Sequence, residues 1–176
     1  MANKETPRVN PVTWILLLIT LAAVCVTVWA VFFRDSGDTV LTPDYAPKQE
    51  EQNAKPIEGD GGEKLEKPEG GGSVSLTYAR EVEIDLASKT AKLLFANPGK
   101  SNQSLVVQIV IQDTVIVQSG TLKPGNQVDT LELMAGMEKK LAAGTYEGSF
   151  RVWYYDLGTG EKAIVDTQIP ITITVK

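Results

Sequence analysis

From Ser73 to Lys176 apolar and polar residues alternate along the chain, the period-two pattern of strands that bury one face. Val74, Leu76 and Tyr78 begin it, Val82, Ile84 and Leu86 repeat it, and Ala91, Leu93 and Phe95 follow after a polar break. Leu105 to Ile111, Thr114 to Gln118, Val128 to Leu133, Tyr146 to Tyr155 and Ala163 to Val175 continue the series. Asn97-Pro98-Gly99-Lys100 and Lys123-Pro124-Gly125-Asn126 stand between runs, each with proline and then glycine where a type II turn needs a fixed negative φ followed by a positive one. Seven to eight short strands with little helical periodicity predict an all-β fold, an antiparallel β-sandwich. Roughly 100 residues can bury a core without disulfide support, and this stretch contains no cysteine.

The pattern near the N-terminus is the opposite one. From Val12 to Phe33 the chain runs 22 residues without a charge, proline or glycine. As a helix this run is about 33 Å long, enough to cross a hydrocarbon core of about 30 Å, and it exceeds the apolar core of about 7 to 15 residues in a cleavable signal peptide. It predicts one transmembrane helix. Trp14 near one end and Trp29, Phe32 and Phe33 near the other suit the aromatic belts at the headgroups. Cys25, in mid-run, reads as an apolar filler rather than a lipidation site. Lys4 and Arg8 precede the run and Arg34 follows it, a slight bias toward a cytoplasmic N-terminus. The expected organisation is a cytoplasmic tail over 1–11, a membrane span over 12–33 and an extracytoplasmic C-terminal part. Thr20, Ala23, Thr27 and Ala30 fall near one stripe of the helix and form a candidate helix–helix contact through which the chain could weakly self-associate. Small residues are common in spanning helices, and that reading is favoured over a dimer seam.

Residues 34–72 change composition abruptly. Between 35 and 72 stand seven glycines, four prolines, ten acids and four lysines, a net charge of −6 that carries the protein's overall negative balance of −5. So little apolar material predicts a disordered linker and a β-domain over 73–176 that melts at the same temperature with or without it. Neither part offers the clustered Lys and Arg that binding nucleic acid requires. Glu58-Gly59-Asp60-Gly61-Gly62-Glu63 lacks the alternating ligands and terminal Glu of a calcium loop.

Leu141-Ala142-Ala143-Gly144-Thr145-Tyr146-Glu147-Gly148 resembles the tyrosine corner of immunoglobulin-like and fibronectin type III-like domains. Tyr146 takes the corner position, and Gly148 stands where antibody domains place a cysteine. The resemblance implies an immunoglobulin-like β-sandwich of the cysteine-free kind found in bacterial membrane-anchored surface and envelope proteins.

The chain has no histidine, and its single cysteine lies in the apolar run. Histidine-based triads, histidine zinc sites and an extramembrane thiol nucleophile are thereby excluded, and neither an enzymatic activity nor a cofactor or metal is expected. Arg151-Val152-Trp153-Tyr154-Tyr155 is the sharpest local signal. With Tyr146, Phe150, Val152 and Tyr154 turned to the core, Trp153 and Tyr155 share the opposite face about 6.6 Å apart, a candidate binding surface for a protein partner or for successive sugar rings. Cross-strand aromatic packing is the structural alternative, and the favoured one. Asn102-Gln103-Ser104 is a glycosylation sequon in a polar turn. The expected function is a non-enzymatic envelope module that binds or scaffolds an extracytoplasmic protein. A carbohydrate-binding module and an accessory subunit of a larger membrane complex are the alternatives.

Overall fold

The computed structural model describes residues 16–24 and 43–176. They fall in two units divided after Asp38. In the first, residues 16–24 are helical with their side chains exposed, and the Thr20 hydroxyl donates to the Leu16 carbonyl at 2.5 Å. Among the described residues no helix is long and apolar enough to cross a membrane. The rest of the expected span, Thr27 and Ala30 included, lies outside the described residues.

The second unit is mostly strand: β1 (Lys55–Pro56), β2 (Thr77–Tyr78), β3 (Glu81–Asp85), β4 (Thr90–Asn97), β5 (Gln103–Ile111), β6 (Thr114–Gln118), β7 (Asn126–Glu132), β8 (Gly144–Asp156) and β9 (Lys162–Val175). Their order across one sheet is β1-β7-β4-β3-β9-β8-β5-β6, with β2 beside β4. The sheet curls over its own inner face. Phe95 of β4 meets Phe150 of β8 edge-on at 5.2 Å across the core, and Val117 of β6 bridges to Leu133 just past β7. Alternate residues supply that core as the sequence pattern requires: Val82 and Ile84, Leu93 and Phe95, Leu105, Val107 and Ile109, Phe150 and Val152, Ile171 and Ile173.

The expected all-antiparallel sheet is corrected at one seam. β3 runs parallel to β9, pairing Val82 with Ile173 and Ile84 with Val175, so the sheet is mixed. Period two fixes which side chains face the core, but it is silent on the direction of the neighbouring strand. Of the two expected turns, Gly125 adopts φ 84° as predicted. At the other, Ser101 N donates to the Pro98 carbonyl, so Pro98 opens the turn instead of occupying its second position. A short helix over Met137–Lys140, absent from the sequence pattern, precedes β8.

The larger correction concerns the expected linker. From Pro43 to Gly72 the chain forms a strap laid around the β-domain. Tyr45 bridges Glu161, Lys162 N donates to the Asp44 carbonyl at 2.8 Å, and Ala46 N donates to Gly160 at 2.8 Å. Farther on, Thr121 N and Oγ1 donate to the carbonyls of Gln49 and Pro47, and Glu51 N donates back to Thr121. β1 then adds to the edge of β7, Lys55 opposite Gln127. Asp60 accepts from Gly99 N, Leu65 N donates to the Lys100 carbonyl, and Lys67 closes the circuit on Asp156 beside the β8–β9 hairpin. Composition missed this because the strap is held by main-chain hydrogen bonds, with few apolar side chains such as Ala54 packed against the core.

Candidate functional site

β8 places its side chains on two faces, and the core face follows expectation. Phe150, Val152 and Tyr154 join the core. The Tyr154 hydroxyl donates to Thr167 Oγ1 at 2.8 Å, and burial pushes its phenol above the ordinary tyrosine range. At the start of the strand Tyr146 is half-buried, and its hydroxyl donates to the Ala142 carbonyl at 3.0 Å, the backward bond expected of a corner tyrosine. Gly148 follows for a steric reason: a Cβ there would lie 2.5 Å from Ile173 Cδ1 and 2.8 Å from the Val110 carbonyl oxygen. The position admits no side chain.

The outer face carries Ser149, Arg151, Trp153 and Tyr155. Val106 of β5 pairs with Trp153 and Ser104 with Tyr155. Trp153 is half-buried, its Nε1 donating to Gln108 Oε1 at 3.2 Å and its ring covered by Lys162 Nζ at 4.5 Å. Gln108 in turn donates to Gln118 at 2.8 Å, so a polar row crosses β8, β5 and β6. Tyr155 is 0 % exposed. Both aromatics lie on the outer face as assigned, and the candidate open pair does not form, because the strap lies over Tyr155. The tyrosine hydroxyl reaches the Pro43 carbonyl at 3.4 Å. Burial, with the nearby Asp44 carboxylate adding to it, pushes the phenol up to about 12. Two stacked sugars therefore have no platform at Trp153 and Tyr155.

Among the described residues, accessible clefts border both ends of β8. Beyond Trp153 the outer face continues into a cleft of about 520 Å³ among Val110, Asp113, Glu147, Ser149 and Gln168, where Gln168 Nε2 donates to Ser149 Oγ at 3.1 Å. At the opposite end of β8, the β8–β9 hairpin borders a cleft of about 480 Å³ between Lys67, Gly71, Asp156, Ile164 and Val165. Asp156 organises this end. Its carboxylate pairs with Lys67 and accepts from Thr159 N at 3.0 Å and Gly158 N at 2.8 Å, and these bonds hold it well below the usual carboxylate range. Asn102 of the sequon is committed to the strap, accepting from Ser73 N and donating to the Leu65 carbonyl.

Strap residues Asp44, Tyr45 and Glu51 went unread because each acts through a neighbour distant in sequence. Ile164 and Val165 left a legible mark: Ala163-Ile164-Val165 breaks the alternation of the final strand. Among the described residues no group of three acids or cysteines converges as a metal ion would require.

No family model matches the chain, and no curated protein matches it. Among solved structures it is similar to AggA, the major subunit of aggregative adherence fimbriae type I from Escherichia coli, with 10 % identity and a TM-score of 0.31 over 65 % of this chain and 100 % of that one. A likeness that distant carries no argument about what this chain does.

Proposed function

We propose that this chain is a single-pass membrane protein whose immunoglobulin-like β-domain lies outside the cytoplasm and acts, without catalysis, as a binding or scaffolding module for another extracytoplasmic protein. The membrane reading rests on the 22-residue uncharged run from Val12 to Phe33. The binding reading rests on one observation: the strap covers Tyr155 but leaves open the outer face around Arg151, Glu147 and Gln168 and its cleft of about 520 Å³. Arginine presented on a rigid sheet beside amide side chains suits recognition of a polar protein surface.

The test uses the full chain in its own membrane. Protease added to intact spheroplasts removes the domain if the orientation is right, and protection until lysis reverses it. A photo-crosslinking residue at Gln168 should then give one discrete adduct that is lost in Arg151→Glu. Adducts no more discrete than those from a probe at Lys89 would sink the binding face.

A further inference from the structure

One end of the β-domain is unusually apolar for a surface. Between residues 43 and 176 the four most exposed large apolar side chains are Ile164 at 103 %, Val165 at 68 %, Tyr45 at 60 % and Leu157 at 49 %, and all four belong to the β8–β9 hairpin or to the strap residue that bridges it. The backbone explains the exposure. Trp153 pairs with Asp166 and Tyr155 with Lys162, so three residues of β9 stand opposite Tyr154 alone, and the surplus bulges outward at Ile164. On its other edge β9 meets β3 only from Thr172 onward, which leaves 163–168 without a neighbouring strand among the described residues.

We propose that this hairpin end is a lipid-contact surface, with Ile164, Val165, Leu157 and Tyr45 seated in the headgroup region of the bilayer that anchors the chain. The inference rests on the anchored reading given above. Its first support is the length of chain between the apolar run and the strap. Ten residues, 34–43, separate Phe33 from Asp44, the residue hydrogen-bonded to Lys162. They span at most about 35 Å fully extended and about 17 Å as a flexible coil. A tether this short lets the hairpin reach the bilayer in which the apolar run is held. Second, the side chains are of the interfacial kind, branched aliphatics with a tyrosine whose ring and hydroxyl suit the two sides of a headgroup layer. Third, charge selects among lipids. Asp44, Glu161 and Asp166 surround the patch, while Lys67 is paired with Asp156 and Lys162 lies over Trp153. An acidic rim disfavours anionic headgroups, so contact is apolar burial against a zwitterionic surface. The face carrying Arg151 and Gln168 is left clear for a protein.

The experiment uses the full chain with Cys25→Ala, reconstituted in phosphatidylcholine vesicles and carrying a polarity-sensitive fluorophore at either Ile164→Cys or Asp113→Cys. Quenching by nitroxide lipids labelled near the headgroup should be at least about threefold stronger at position 164 than at 113, and indifferent to salt concentrations at which the Debye length falls to about 3 Å. Moving the probe to Leu157→Cys and adding Val165→Asp should abolish quenching with an unchanged circular dichroism spectrum. A chain that fails to float with the vesicles after alkaline carbonate defeats the anchored reading itself. A chain that floats while the label at 164 emits as in water overturns the lipid contact alone. A blue-shifted label that nitroxide lipids do not quench, and that reverts on dilution, assigns the patch to a second copy and equally overturns it.

Discussion

β5 and β9 flank the same strand and bury their residues very differently. Every residue of β5 is buried, whereas β9 buries only alternate residues in its second half and almost none in its first. Their inner faces are alike. The difference lies outside: the strap is bonded to Tyr155 on one side of β5 and to Thr121 on the other, and Trp153 and Gln118 bond Gln108 between them, whereas the outer residues of β9 are exposed. Burial in a sheet is therefore decided as much by what crosses its outer face as by the strand's own composition. A segment without an apolar pattern can close a face if its backbone finds partners.

Removing the strap is the strongest way to break this contrast. A fragment of residues 73–176 should melt more than about 10 °C below one of residues 35–176, because it uncovers Tyr155 and strips the edge of β7. Equal melting temperatures would return the strap to the status of a linker. Alkali should loosen the same contact. The phenol of Tyr155 is raised to about 12 in the folded state from 10.0. A raised group lends stability that is complete below its unfolded value and is lost as pH climbs through the folded one, so the strap should weaken between pH 10 and 12. Spectrophotometric titration should show Tyr155 ionising late alongside the raised Tyr154, and Tyr155→Phe should remove one phenol from that late step.

A finer test is Gly120→Val. A Cβ at this position would lie 2.8 Å from Glu51 N and 2.9 Å from the Glu50 carbonyl carbon, so the strap must shift. A loss of about 1 to 3 kcal/mol by chemical denaturation is expected, with hydrogen exchange rising at Glu51 and Thr121 before any change in β9. Tyr146→Phe should cost about 1 kcal/mol, since its hydrogen bond to Ala142 is partly solvated. A silent substitution there would remove the corner from the account of β8. The smallest effect belongs to acid. Lys67 and two backbone amides depress the Asp156 carboxyl, so its contribution is present above the ordinary aspartate range and fades as pH falls below it. Exchange at Leu65 and Gly158 should rise there, and Lys67→Ala should remove much of that pH dependence.

The strands within 73–176, their inward faces and the corner at Tyr146 were legible in the chain, because each is encoded within a few neighbouring residues by the period of the side chains or a single local hydrogen bond, whereas β1 in the strap was not. Even the outward direction of Trp153 and Tyr155 was readable in this way. That Tyr155 is covered, that β3 and β9 run parallel and that the strap docks on the β8–β9 hairpin became clear only in the fold. Each of these joins residues far apart in the chain, Pro43 to Tyr155, Val82 to Ile173, Asp44 to Lys162. Main-chain groups carry most of those joins, and main-chain groups are the same at every residue. Residue identity marks which side chains avoid water, but it does not say which distant backbone will lie beside them.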